Sequence, residues 1–384
     1  MTAAASEPVS ARPRVIAAFV ALYLAVGAYS PYLPVYYRSL GLSLELIGLL
    51  AALFAAAAML GAPMWGATAD RSGSARPVLA LAAATAAVAA AVLAVVSGTL
   101  LIGLAAALLA LAMSGVMPIL DARALEVTAG SRSHYASFRV WGSGSYIVAV
   151  VLTGWVIEVL GARGLFVILV PALAVTAVIG RGIRSQPAVA PITRLAAIRS
   201  ILRSPTLAPF LGVVLITWTS STTINAFFSI HLVDIGAPSW MVGLSWALGA
   251  AVEVPIMLSF GWLVARFGLP RLLLTGSILF ALRAAAIVAT SDPLLITLTM
   301  LLHGGAFALF LVGGVSYVSE RAPSGAAATA QGMLVAIAFG LAQIVGPGFG
   351  GLIAADGDLV RTFGIAGAGS AIAVLALGWV LRRQ

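Results

Sequence analysis

The chain has 384 residues, 62% of them hydrophobic and 9% charged, with a net charge of +9, no cysteine and no lysine. That balance excludes an ordinary soluble domain. The missing thiols exclude disulfides, thiolate catalysis and cysteine metal sites, and the missing lysines exclude Schiff-base chemistry on a lysine. What remains is an all-α polytopic membrane protein.

A membrane span needs roughly 20 apolar residues. Runs of that length are predicted at 14–37, 44–66, 77–96, 99–121, 138–160, 163–181, 206–230, 240–264, 271–290, 293–318, 327–355 and 359–380, twelve in all. Residues 1–13 are small, polar and proline-containing, and read as a disordered cytoplasmic tail. The first run is too long for a signal-peptide core and is read as a retained helix. The arginines are scattered through short loops, which argues against a nucleic-acid patch. With the N-terminus inside, most of them fall on or near one face, including Arg12, Arg14, Arg71, Arg76, Arg266, Arg271, Arg382 and Arg383. Only Arg38, Arg163 and Arg361 fall outside, and Arg283 lies within a span. The positive-inside bias then places both termini in the cytoplasm of what reads as a prokaryotic cell.

In the first span Tyr29, Tyr32 and Tyr36 recur at helical spacing and share a face. Pro31 and Pro34 interrupt that helix, which a membrane tolerates where neighbours or a cavity satisfy the freed backbone. The tyrosine face is either an aromatic wall on a solute cavity, with Tyr29 and Tyr32 the better candidates, or part of an interfacial belt. After the second span comes Gly66-Ala-Thr-Ala-Asp70-Arg71-Ser-Gly73-Ser-Ala-Arg76. Gly66 lets helices approach closely, Asp70 and Arg71 sit at the surface where charge costs little, and Gly73 permits a tight bend. A related stretch returns at Gly261-Trp-Leu-Val-Ala265-Arg266-Phe-Gly268-Leu-Pro-Arg271, with Ala265 in place of the acid. The chain therefore reads as two copies of one unit, 14–181 and 206–384, joined by a polar linker over 182–205.

The spacing Gly-x-x-x-Asp-Arg-x-Gly-x-x-Arg resembles the loop motif of the major facilitator superfamily. The resemblance implies a fold of twelve helices in two six-helix halves, with Gly66, Asp70, Arg71, Gly73 and Arg76 as a cytoplasmic gating motif. It narrows further along the chain. Pro118-Ile-Leu-Asp121-Ala and Tyr135-Ala-Ser-Phe-Arg139-Val-Trp141-Gly142 resemble the branch of phenylpropionate and lactose permeases. So do Glu253-Val-Pro255, Arg283 and His303-Gly304. Carried over, Asp121 and Arg139 become substrate-site candidates. From the residues alone, Asp121 near the end of one helix and Arg139 at the start of the next can meet as an ion pair that merely pins the hairpin.

The seventh span carries an unusually polar patch, Trp218, Ser220, Ser221, Thr222, Thr223 and Asn225. Serine and threonine often satisfy their own helix carbonyls, so Asn225 has the better claim to a cavity. Glu253 lies deep in the eighth span, where a charged carboxylate costs ~2.5–3.5 kcal/mol or more. Desolvation favours its neutral form, as a proton carrier requires. Arg283 is expected to pair with Glu253 or to hold an anionic solute, and His303 shares a face with Phe307 and Phe310. Glu253 and His303 are the proton-coupling candidates.

Together these residues describe a secondary transporter, with proton-coupled symport of a small organic solute by alternating access as the expected function. Candidate solutes are aromatic acids, sugars and nucleosides, and proton-antiport efflux is the close alternative. A receptor would need an output domain longer than any polar stretch here. An intramembrane enzyme would need a metal cluster, phosphate loop or nucleophile–base pair, none of which is found. The expected partners are the solute and the lipid bilayer, with no nucleic acid, no metal, no cofactor beyond a proton gradient, and a monomer as the working form.

Overall fold

A computed structural model describes residues 8–72, 75–128, 132–183 and 195–383. Twelve helical segments are long and apolar enough to cross a membrane, from Arg12–Ser39 to Leu359–Arg382. The predicted runs match them in order. The largest differences are at the fourth, which continues to Val127, and the seventh, which continues to Asp234. Helix also begins earlier than the expected tail allows, at Pro8. Outward-facing Leu100, Val159, Leu258 and Leu375 are 72–78% exposed, as side chains meeting lipid rather than water would be.

Residues 1–36 and 53–190 form one compact unit, and residues 37–52 and 191–384 the other. In the first unit Pro8–Tyr29 packs on Arg132–Leu160 and Leu165–Gly180. Ala75–Val95 packs on Thr99–Val127 and again on Leu165–Gly180. Lipid tails are as apolar as leucine, so such helices associate through close van der Waals contact between small residues. The third span accordingly buries Ala82, Ala83, Ala86, Ala89 and Ala90 completely. A Cβ on Gly27 would lie 2.6 Å from that of Ala149. The close approach expected at Gly66 is not there, since a Cβ on it meets no described atom within 4 Å. Gly61 takes that role, against Ser114 and the Leu111 carbonyl. The first span breaks after Tyr29 and resumes as Leu33–Ser39, around the two prolines that predicted the interruption.

In the second unit Leu269–Val288 packs on Pro293–Arg321 and Leu359–Arg382, and Ser239–Phe267 packs on Pro293–Arg321. Gly304 sits so close to Gly249 that a side chain there would strike its carbonyl. Leu207–Asp234 packs on Ala342–Ile353, where Gly346 and Gly350 accept Thr222 and Thr223. The eleventh span is not a plain helix: Ala336–Leu341 is π-helical, and the Ala342 amide donates to the Ile337 carbonyl. Just beyond it, Thr222 Oγ1 donates to Ala342 O at 2.8 Å and Thr223 Oγ1 to Gly346 O at 2.9 Å. Residues 37–52 belong to this unit through contacts such as Gly48 against Gly351 and Arg38 against Asp234 at 3.5 Å.

Candidate functional site

The second unit holds a buried polar cluster contributed by three spans. On the seventh, Asn225 and Phe228 are one turn apart and share a face; on the tenth, Met300, His303 and Phe307 do the same. Arg283 of the ninth reaches both. Its NH1 donates to Asn225 Oδ1 at 2.8 Å and to His303 Nδ1 at 3.1 Å. Its NH2 donates to the Met300 sulfur at 3.3 Å. Its carbon lies 5.2 Å from the centre of the Phe228 ring. A guanidinium has donors and no acceptor, so His303 Nδ1 must accept. The imidazole is therefore neutral, with its proton on Nε2.

Arg283 is 1% exposed and His303 4%. Among the described residues every partner of the guanidinium is neutral, and no carboxylate lies within ion-pairing distance of it. The expected pairing of Arg283 with Glu253 is thus not formed. Glu253 is half-buried on the eighth span and makes no side-chain bond among the described residues.

Aromatic rings enclose the cluster. His303 has Trp246 at 6.2 Å, Phe280 at 6.0 Å and Phe307 at 6.1 Å between ring centres. Trp218 stacks on Phe307 at 5.8 Å and meets Phe280 edge-on at 5.6 Å. Trp246 is held by a hydrogen bond from its Nε1 to Ser229 Oγ at 3.2 Å.

In the first unit Asp121 and Arg139 do meet across the hairpin, at 3.8 Å, with side chains 30% and 47% exposed. Arg139 also lies over the Tyr23 ring at 5.8 Å. Tyr29 packs against Phe54 at 5.6 Å and keeps part of its surface open. Tyr32, the other cavity-wall candidate, is closed off in this structure. It is fully buried, and its hydroxyl donates to Val150 O at 2.6 Å, a bond that ties the first span to the fifth. Tyr36 likewise donates to Leu93 O at 2.9 Å. Of the gating motif, Arg71 is exposed. Gly73 and the side chains of Asp70 and Arg76 lie outside the described residues, as does that of Tyr135.

The sequence matches the MFS_1-like family over residues 15–365. The chain belongs to that family. It is 26% identical over 323 residues to the maltose permease of Geobacillus stearothermophilus, covering 83% of this chain and 82% of the permease. It is 25% identical over 320 residues to the uncharacterized transporter YwbF of Bacillus subtilis (strain 168), covering 83% and 80%. Its fold is that of the nucleoside transporter NupG, with a TM-score of 0.84 at 17% identity over 96% of this chain and 98% of that one. This MFS_1-like protein is a multi-pass membrane transporter of small solutes.

Sequence reasoning found the three polar members of its cluster and missed Phe228, Trp246, Phe280 and Met300. Phe228 was open to detection, being one turn from Asn225, and Met300 one turn from His303. Trp246 and Phe280 carry no such mark, because an aromatic residue in an apolar helix looks the same whether it faces lipid or a site.

Proposed function

We propose that this MFS_1-like transporter is a proton-coupled symporter of a small organic solute, working as a monomer by alternating access. The solute is held at the cluster of Arg283 and Asn225, and Glu253 and His303 handle the coupled proton. The carrying observation is Arg283 itself, a fully buried cation whose partners are all neutral. Burying an unpaired charge is among the costliest things a fold does, and ionisable groups inside membrane spans mark solute or proton pathways as a rule. Glu253, half-buried on the eighth span and without a side-chain bond among the described residues, is the acid free to load and release a proton. Asp121 and Arg139 are assigned further solute contacts on their resemblance to the permease branch. The maltose permease relative and the nucleoside transporter fold keep sugars and nucleosides among the candidates beside aromatic acids. The arginine bias of the loops supports a cytoplasmic membrane with both termini inside.

The test is solute-driven proton movement in proteoliposomes carrying a pH dye, with aromatic acids, sugars and nucleosides offered to wild type and Glu253→Gln. Symport predicts a solute-dependent flux that the variant loses while still binding solute. Extrusion of lipophilic dyes against a proton gradient, with no solute-dependent influx, would replace this reading with antiport.

A further inference from the structure

The hydrogen bonds of Arg283 are unevenly distributed over its guanidinium. NH1 is saturated, with both its protons used by Asn225 and His303. The opposite edge, where Nε–H and one NH2 proton point the same way, is not. Among the described residues NH2 meets only the Met300 thioether at 3.3 Å, and Nε is buried with no partner. That edge is the fork of two parallel donors that matches a carboxylate, and a bidentate pair of this kind is both stronger and more selective than a single bond. A thioether is a weak acceptor on an unbranched, adaptable side chain. It covers such a fork without competing seriously for it.

We propose that the Nε–NH2 edge of Arg283 is the seat of a solute carboxylate, and that Met300 is the side chain the carboxylate displaces. The proposal rests on the symporter reading and narrows it: the solute is an organic acid carried as its monoanion. It departs from the sugars and nucleosides suggested by the relatives. While the carboxylate is seated NH1 keeps Asn225 and His303, so those two bonds orient the guanidinium plane as the other edge changes partner. Phe228, whose ring the guanidinium overlies at 5.2 Å, supports that plane from one face. Met300 becomes a specificity residue, since its weakly accepting sulfur yields readily to two anionic oxygens, whereas a single neutral hydroxyl cannot fill both donors of the fork.

The experiment uses the purified full-length chain and matched acid and neutral probes, benzoate with benzamide and glucuronate with glucose, together with maltose and uridine. Binding is read by tryptophan fluorescence, which Trp218 and Trp246 beside the cluster should report, and by the shift in melting temperature. Transport is read by counterflow in proteoliposomes. At least one acid should bind ten times or more tighter than its neutral partner. Arg283→Lys should lose at least tenfold in affinity for that acid, because an ammonium keeps the charge and lacks the fork. Met300→Ala should bind the acid as tightly as wild type or tighter. Recognition of glucose, maltose or uridine that Arg283→Lys leaves intact would overturn the carboxylate assignment, and so would failure of both acids to bind. If a neutral solute then drives proton flux, the symporter reading stands without this inference. If an acid binds and exchanges but moves no proton, the inference stands and the symporter reading falls.

Discussion

Arg283 and Arg139 both lie near an aromatic ring and within reach of a polar partner on another helix, yet their surroundings differ in every energetic respect. Arg139 is half exposed, and its carboxylate partner stands at the limit of ion-pair distance. Water screens such a pair, and its worth to the fold is ~0–1 kcal/mol. Arg283 is dry, with neutral partners throughout. The first arrangement can be made and broken at little cost, as a contact that changes during a transport cycle must be. The second holds a charge in place at a continuing cost to stability, which gives the site a strong appetite for a counter-charge. The difference teaches that resemblance alone, which singled out both arginines, does not say which of them anchors a solute.

The sharpest way to break the comparison is to neutralise each arginine's site in turn. Arg283→Gln should abolish solute-driven uptake, a loss of at least a hundredfold, while melting no lower than wild type, since the variant removes an uncompensated buried charge. A sharp loss of melting temperature with uptake intact would mean the guanidinium is a structural post. Packing sets the next largest effect. Gly346→Val places a branched side chain against Thr222 and the Thr219 carbonyl, and overpacking of that kind costs about 1–3 kcal/mol or more, read as a lower melting temperature in detergent. Tyr32→Phe should cost about 1 kcal/mol by deleting its bond to Val150 O, with uptake within about twofold of wild type by the general behaviour of a purely structural hydroxyl. A tenfold loss of uptake would return Tyr32 to the cavity wall. Smallest in stability is Asp121→Asn, with a change below about 1 kcal/mol. Its uptake separates a solute contact from a hairpin pin: a clear rise in KM marks the former, and unchanged kinetics the latter.

The spans were legible because a helix that must satisfy its own backbone in hydrocarbon needs an apolar run of fixed length, and such runs are hard to miss. Asp121 and Arg139 were legible because a short hairpin leaves two opposite charges few other places to be. The enclosure of Arg283 was not. In a soluble helix the polar face marks the buried one by contrast, but in a membrane helix both faces are apolar, so Phe280 and Trp246 carry no signal of where they point. Glycine is ambiguous for the same reason. Gly61 is pressed against the fourth span and Gly66 is open, and nothing in their neighbours' identities distinguishes them. The grouping of residues 37–52 with the second unit was equally invisible, because it depends on contacts far along the chain.

The π-helical stretch at Ala336–Leu341 bears on how this chain is lined up with others. One extra residue in a helical turn rotates everything after it by about 100°. Gly346 and Gly350 therefore face Thr222 and Thr223 only because the count slips at that point. A relative with an unbroken helix here would show matching faces only if a one-residue gap were opened between Ala336 and Leu341. Deleting a single residue from this stretch would turn the C-terminal half of the eleventh span like a key in its lock, with the glycines led away from the threonines and bulkier side chains brought in.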